Sequence, residues 1–458
     1  MIAAACALAS AIGFYVSLGL GEQWWAAWLA PIPVLWLAFG EAKAWQVFAA
    51  AWLAVVLGST NLMPAYGRLM PLPVLATIIA VPALWFALSV LAARRVQRAL
   101  GPVAAMLAFA ASWTAFDFGM AFSKYCGSAL TPAAVEAGSP LLIQIASLVG
   151  FVGVTFLLGL VAAGVAASIC TRTPLAAAIA VTAFCANLAF GCARTRAAPD
   201  RTLRTALIDS NDAVGKIEEA DRSAALAAVD GYVAAIEKLR GQSIELIVLP
   251  ENIAQLAPQW RDEVKQKLAR AAADVGATLV AGFNAEHHNI AFALSARADA
   301  TYAKRRLIIG LETVHYEPGT RPLALGDGTG VEICKDMDFH AMVRDDMLAT
   351  APVVLAVPAW DFTKDDWSHA RVAVLRSVEN GVAMARAARN GLLTLNDRYG
   401  RVVARARTAA GFVTLVDDLP IDGRGGATIY DRIGDVFGWL CVAAALALQA
   451  LAFRRRRR

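Results

Sequence analysis

Long apolar runs fill the first part of this chain, and short alternations of apolar and polar residues fill the rest. A membrane-spanning helix needs roughly 20 mostly apolar residues, because its backbone polar groups must be satisfied within the segment. By that rule the chain predicts spans at about 2–20, 24–41, 44–63, 71–93, 103–122, 140–168 and 175–193, with one more at about 433–453. Prolines in the second and fourth predict kinks or partly re-entrant segments. No basic run precedes residues 2–20 and further spans follow, so that stretch reads as a span and not as a cleaved leader.

From residue 201 onward the period changes. Residues 203–208 and 244–249 read as strands, and 216–239 and about 259–273 as helices. Strands follow at about 278–283, 288–295, 300–309 and 330–335, then a helix at 338–348, a strand at 353–358, a long helix at 366–388, and two or three strands between 391 and 417. Such alternation predicts an α/β domain with sheets covered by helices. The predicted organisation is a seven-span membrane domain at 1–193, a soluble domain at 194–431, and a C-terminal span with a basic tail at 432–458.

Charge supports this division. Of 458 residues, 58% are hydrophobic and only 17% charged, with a mean hydropathy of +0.53, which no ordinary soluble domain has. The net charge of +5 divides into +3, −3 and +5 over the three sections. Its only basic run is the arginines at 454–458, beside an apolar stretch, so the sequence pI of 8.8 does not mark a nucleic-acid-binding surface. With Met1 in the cytoplasm, Lys43, Arg94, Arg95, Arg98, Arg172 and the terminal arginines are all cytoplasmic, and the opposite short loops keep only Arg68 and Lys124. Residues 194–431 are then expected outside the inner membrane, with both chain ends inside. Five of the seven cysteines (Cys6, Cys170, Cys185, Cys192, Cys441) fall in or beside spans, Cys126 is in a short loop, and Cys334 stands alone in the soluble section. That is no disulfide framework. Asp117 is the only acid deep in a predicted span. It reads either as a functional group or as an inward-facing polar contact.

Three residues stand where an α/β fold carries its chemistry. Glu251 follows the apolar run that ends at Leu249-Pro250, Lys304 lies in Thr301-Tyr302-Ala303-Lys304, and Cys334 ends the predicted strand 330–335. Singly, each has an ordinary structural reading: a helix-terminal acid, a solvated basic face beside Arg305 and Arg306, a small buried apolar residue. A histidine metal site has little support, since adjacent His287 and His288 would point to opposite faces of a strand. No glycine-rich phosphate loop is present, and neither a metal nor a cofactor is expected.

Taken together, Glu, Lys and Cys in that order on alternating strands resemble the nitrilase superfamily of carbon–nitrogen hydrolases. With spans on both sides, the chain resembles that superfamily's membrane branch, the apolipoprotein N-acyltransferases. Leu249-Pro250-Glu251-Asn252 matches the glutamate segment, Lys304 to Leu311-Glu312 the lysine segment, and Ile333-Cys334 the nucleophile strand. Ala359-Trp360-Asp361-Phe362, His369, Leu375-Arg376, Glu379-Asn380-Gly381, Ala385-Arg386, Arg389-Asn390-Gly391, Asp397-Arg398-Tyr399-Gly400-Arg401 and Tyr430-Asp431-Arg432 continue the match, as does Pro140 to Gly150 in the sixth span. The chain departs from the pattern at Lys335-Asp336, where the family has an aromatic and a glutamate. It departs again at Ile309-Gly310-Leu311-Glu312, and in a short stretch between Glu312 and Cys334.

The resemblance implies an α-β-β-α sandwich carried by about eight spans, in a bacterial inner membrane, with the catalytic domain on the extracytoplasmic side. It implies a ping-pong acyltransferase. Its donor is a membrane phospholipid, its intermediate a Cys334 thioester, and its acceptor the α-amino group of the diacylglyceryl cysteine of an apolipoprotein. Glu251 is expected to move protons, Lys304 and the backbone N–H after Cys334 to stabilise the oxyanion, and Glu312 and Asp336 to support them. Lys304 and Lys335 are expected to lower the thiol pKa. Leu311, Lys335, Trp360 and Phe362 are the candidates for lining the substrate. Two alternatives stay open: a membrane-bound amidase that uses the same three residues with water as acceptor, and a non-catalytic scaffold.

Overall fold

A computed structural model describes every residue except 218, 424–426 and 458, and no side chains at 456 and 457. Part of the arginine tail therefore lies outside the described residues. The chain divides into two compact units, Met1–Arg196 with Ile433–Arg458, and Ala197–Arg432.

The first unit is helical. Among the described residues, six of its helices are long and apolar enough to cross a membrane: Ala44–Tyr66, Leu72–Leu100, Pro102–Ala121, Phe151–Thr171, Leu175–Arg194 and Val436–Arg455. The first two predicted spans form shorter apolar helices, Ile2–Ser17 and Trp24–Phe39. The second is interrupted at Ala30-Pro31, where the ring cannot supply an N–H to the preceding turn. In the fourth, by contrast, Pro82 lies within an unbroken helix. The sixth begins at Phe151 and not at 140, because Gly150 takes φ 79° and ends the preceding turn. Close helix approach depends on small residues: a Cβ on Gly58 would lie 2.4 Å from Phe14 Cβ. Asp117 is buried, and its Oδ2 accepts from the hydroxyls of Thr131 (2.7 Å) and Thr155 (2.6 Å). Of the two readings of Asp117, the structure shows the inward-facing polar contact, tying Pro102–Ala121 to Phe151–Thr171.

Among the described residues of the second unit, thirteen strands form two sheets. They are β1 (Arg201–Ser210), β2 (Leu246–Val248), β3 (Gln255–Leu256), β4 (Thr278–Ala285), β5 (His288–Leu294), β6 (Asp299–Ala303), β7 (Leu323–Ala324), β8 (Thr329–Val331), β9 (Val354–Trp360), β10 (Ala383–Arg389), β11 (Leu392–Asn396), β12 (Val402–Arg407) and β13 (Phe412–Ile421). The first sheet runs β13-β1-β2-β4-β5-β6 with β3 beside β4, and the second runs β12-β11-β10-β9-β8-β7.

The period-2 alternation of side chains assigns each strand residue to one of two cores. Leu207, Val248, Val280, Ala291 and Ala293 meet Val331, Val354, Ala356, Ala383, Ala385 and Leu395 between the sheets. Their neighbours Ala206, Ile208, Ile247, Leu279 and Phe283 pack outward under helices Arg222–Glu237 and Pro258–Val275. On the other side Leu355, Val357 and Met384 pack under His340–Thr350 and Asp366–Asn380. The result is the α-β-β-α sandwich.

Three elements differ from the sequence reading. The predicted helix 366–388 stops at Asn380, where Gly381 turns at φ 64°, and 383–389 is the buried strand β10. Alanine favours helix intrinsically, but this segment pairs with β9 on one side and β11 on the other, and tertiary pairing prevails. Strand 300–309 ends at Ala303, which leaves Lys304 just beyond β6. Strand 330–335 ends at Val331, and Cys334 opens a short 3₁₀ turn, Cys334–Asp338.

Candidate active site

Each sheet brings its polar residues to the carboxyl ends of parallel strands, the usual position for chemistry in α/β folds. In the first sheet, the apolar run of β2 carries the chain to Pro250 and Glu251. The Glu251 N–H donates to Ala359 O of the opposite sheet at 3.3 Å. Strand β4 passes so close that a Cβ on Gly282 would lie 2.6 Å from Glu251 Cα. Lys304 leaves β6 with its N–H on Asn289 O of β5 (2.8 Å).

Four buried side chains then close a compact cluster. The Lys304 ammonium donates to Glu251 Oε1 (2.7 Å) and to both oxygens of Glu312 (2.8 and 3.0 Å). Asn289 Nδ2 donates to the same two carboxylates, at 2.6 and 2.9 Å. Ile308 N–H adds a 2.7 Å bond to Glu312 Oε2. Lys304 is 1% exposed. Burial alone would favour its neutral form, but Glu251 and then Glu312 hold its pKa well above the ordinary lysine value. Burial likewise opposes ionisation of Glu312, yet the Lys304 charge and hydrogen bonds hold its carboxyl below the usual range. Glu251 is pinned through Oε1 alone, and among the described residues no donor reaches Oε2.

The second sheet contributes Cys334, whose backbone has φ 43°. A non-glycine residue in that region costs on the order of 1–3 kcal/mol and persists only where its surroundings enforce it. Asn252, Thr363 and Asn390, in adjoining segments, also have positive φ. The half-buried thiol donates to Trp360 O at 3.7 Å. Burial pushes the thiol well above its usual pKa, the Glu251 carboxylate adds to that, and Lys304 opposes it without reversing it. This corrects the expectation of a lowered thiol pKa. Lys335 does not supply the expected second charge either: its ammonium pairs with Asp338 at 3.3 Å.

The other sequence candidates divide. Asp336 is fully buried and stands between the nucleophile and lysine segments. It accepts from Ile333 N–H (3.0 Å) and Tyr302 Oη–H (2.9 Å) on one oxygen, and from Arg305 and Arg306 N–H (3.2 and 2.8 Å) on the other. Trp360 ends β9 and Phe362 follows it, both half-buried. Leu311 is 56% exposed, on the same turn that carries Glu312.

Several polar partners of this region were given no role by the sequence reading. Asn289 bridges two carboxylates; its only sequence signal is one amide in an apolar strand. Asp361 and Arg386 form a buried bidentate pair at 2.5 and 3.0 Å, and both charges act on Cys334. The Arg389 guanidinium lies 3.9 Å from the Trp360 ring centroid and donates to Asn252 O at 3.0 Å. The quoted motifs contain these residues without indicating that they touch.

A double-layered sandwich with Glu, Lys and Cys at its strand ends defines a carbon–nitrogen hydrolase domain, and the carbon–nitrogen hydrolase family model matches residues 213–439. The model of the apolipoprotein N-acyltransferase N-terminal domain matches residues 10–164. An apolipoprotein N-acyltransferase of Geobacter metallireducens is 25% identical over 94% of this chain and 91% of its own. One of Thermotoga maritima is 28% identical over 37% and 38%. Among solved structures, an amidase from Nesterenkonia sp. aligns with 52% of this chain and 95% of its own, at 20% identity and a TM-score of 0.41. The chain belongs to the apolipoprotein N-acyltransferase family, the membrane branch of the carbon–nitrogen hydrolases.

Proposed function

We propose that this protein transfers a fatty acyl chain from a membrane phospholipid, through a thioester on Cys334, to the α-amino group of an apolipoprotein's N-terminal diacylglyceryl cysteine. The observation that carries the reading is the asymmetry of Glu251: one oxygen is held by Lys304 and Asn289, and the other is left for proton traffic beside a thiol that burial keeps neutral. A neutral thiol needs a base at the moment of attack, and that base must not be consumed by its own salt bridge.

Glu251 Oε2 takes the thiol proton as sulfur attacks the ester carbonyl. The C–O bond breaks, the lysophospholipid oxygen leaves with that proton, and the acyl group remains on sulfur. The acceptor amine then attacks the thioester, Glu251 takes the amine proton, and the departing thiolate recovers it. Lys304 holds Glu312 through two contacts, so one can be released to a developing oxyanion without leaving either carboxylate unpaired. Exposed Leu311 and half-buried Trp360 and Phe362 offer apolar surface to the acyl chain.

Both substrates are held in a bilayer by acyl chains, each buried CH₂ being worth roughly 0.8 kcal/mol, which gives an enzyme of this class a reason to carry spanning helices. In the orientation set by the basic loops, residues 194–431 face the extracytoplasmic side of the bacterial inner membrane and both termini are cytoplasmic.

Incubating the purified protein with phospholipid is expected to add one acyl mass to Cys334 by intact mass spectrometry, and Cys334→Ala to show none. A wild type without any adduct counts against acyl transfer. Adding a diacylated lipopeptide is expected to yield a third acyl chain on its amine, whereas free fatty acid alone would make the protein a hydrolase.

A further inference from the structure

Beneath the proposed catalytic residues lies a second pair of buried carboxyl groups that the mechanism does not use. Glu332, just after β8, is 1% exposed, and Asp336 is fully buried. A single hydroxyl, that of Tyr302 on β6, lies 2.8 Å from Glu332 Oε2 and 2.9 Å from Asp336 Oδ2. A phenol has one proton, so it cannot donate to two carboxylates at once. Asp336 Oδ2 already accepts from Ile333 N–H. The arrangement is satisfied when Glu332 is the neutral acid: its O–H donates to Tyr302 Oη, and the Tyr302 hydroxyl donates to Asp336.

Asp336 in turn is the clamp between the two halves of the site. One oxygen holds Ile333 N–H, one residue before the nucleophile, and the other holds the N–H groups of Arg305 and Arg306, directly after Lys304. We propose that Glu332 is a positioning residue whose proton, relayed through Tyr302, keeps Asp336 clamping the Lys304 segment to the Cys334 segment, so that loss of this proton at alkaline pH slows acylation of Cys334. This rests on the acyl-transfer reading above.

The groups facing Glu332 agree with that role. Tyr302 comes from β6, Asp336 from the 3₁₀ turn, and Arg305 from the segment after β6, its guanidinium 3.6 Å from Glu332 Oε1. Asp346, on helix His340–Thr350, pairs with the same guanidinium, so Arg305 is shared between two acids. Burial first, and then the Asp336 charge, push the Glu332 carboxyl up to about 8, against Arg305. When Glu332 ionises, two carboxylates face one hydroxyl in a site closed to water, and the clamp loosens.

The test is the single-turnover rate of Cys334 acylation by phospholipid, read by intact mass on the full-length protein across roughly pH 6 to 10. This step contains no acceptor amine, and both variants keep Cys334 and Lys304. Wild type is expected to slow by about tenfold for each pH unit above its alkaline midpoint. Glu332→Gln, which can still donate to Tyr302, is expected to be a few-fold slower at pH 7 and to lose that fall. Tyr302→Phe, which keeps the ring and removes the relay, is expected to be slow already at pH 7 and nearly flat to pH 9. Superimposable alkaline limbs in wild type and either folded variant overturn the inference and leave acyl transfer standing. A wild type with no adduct at any pH removes the acyl-transfer reading itself.

Discussion

The two sheets of the sandwich treat their polar residues in opposite ways. On the first, Lys304, Glu251, Glu312 and Asn289 are bound to one another so fully that the ammonium's three protons all have carboxylate partners. On the second, Cys334 sits in a rare backbone conformation with one long contact to a carbonyl, and its thiol is neutral. The first sheet holds its charges paired and in place, with Glu251 Oε2 left over for a proton; the second holds the nucleophile, which is bound by little else. A charge can be buried safely only when it is paired, whereas a nucleophile is useful only when it is not.

The sharpest way to break this contrast is to remove the ammonium. Lys304→Met leaves Glu251 and Glu312 buried without their cation, and is expected to cost about 3–5 kcal/mol of stability as well as the adduct on Cys334. Glu251→Gln removes one charge but leaves Lys304 paired with Glu312, so it is expected to lower the acylation rate by about 10²–10⁴-fold with a much smaller stability loss. Thermal unfolding in detergent alongside single-turnover acylation separates the two. Equal stability losses would mean that the cluster does not act as a paired charge network.

On the second sheet the support is steric. A Cβ on Gly391 would lie 2.2 Å from Asp361 Oδ2, and Asp361 cannot yield because Arg386 holds both its oxygens. Gly391→Ala is therefore expected to destabilise by about 1–3 kcal/mol and to change the pH dependence of Cys334 alkylation. An unchanged alkylation profile would show that the Asp361–Arg386 pair does not set the thiol's environment.

The smallest effect belongs to His369, whose Nε2 lies 3.0 Å from Asp365 Oδ2. Burial disfavours the charged ring, but the hydrogen bond and charge of Asp365 outweigh it and raise the pKa to about 8. A raised histidine stabilises the fold fully below its ordinary value of about 6.5 and loses that contribution as pH rises through about 8. Between pH 6 and 9 the wild type should lose about 1–2 kcal/mol more than His369→Gln, read from paired melting curves. Parallel pH dependences would remove this pair from the account.

Much of the fold was legible in the chain because burial imposes a period. Apolar runs marked the helical unit, and alternation marked strands such as 278–283 and 288–295 within a residue or two. The segment 383–389 was not legible. Its alanines favour helix locally, and only pairing with β9 and β11 in the middle of the second sheet makes it a strand. The second span shows the same limit: Pro31 was visible, but whether a proline bends a helix or divides it depends on its neighbours, as intact Pro82 shows.

At the candidate site, Glu251 and Cys334 could be picked out because each follows an apolar run, whereas Lys304 follows the mixed strand β6 and stood out only in order with the other two. The sequence by itself determined their order and the family to which the chain belongs. Only the tertiary structure decided how they are charged. The thiol is raised and not lowered, Lys335 is spent on Asp338, Asn289 joins two acids, and one tyrosine hydroxyl stands between two carboxyl groups. Protonation depends on desolvation and on partners within a few ångströms, and residues such as 251, 289, 304 and 312 come that close only when the strands that carry them are laid side by side.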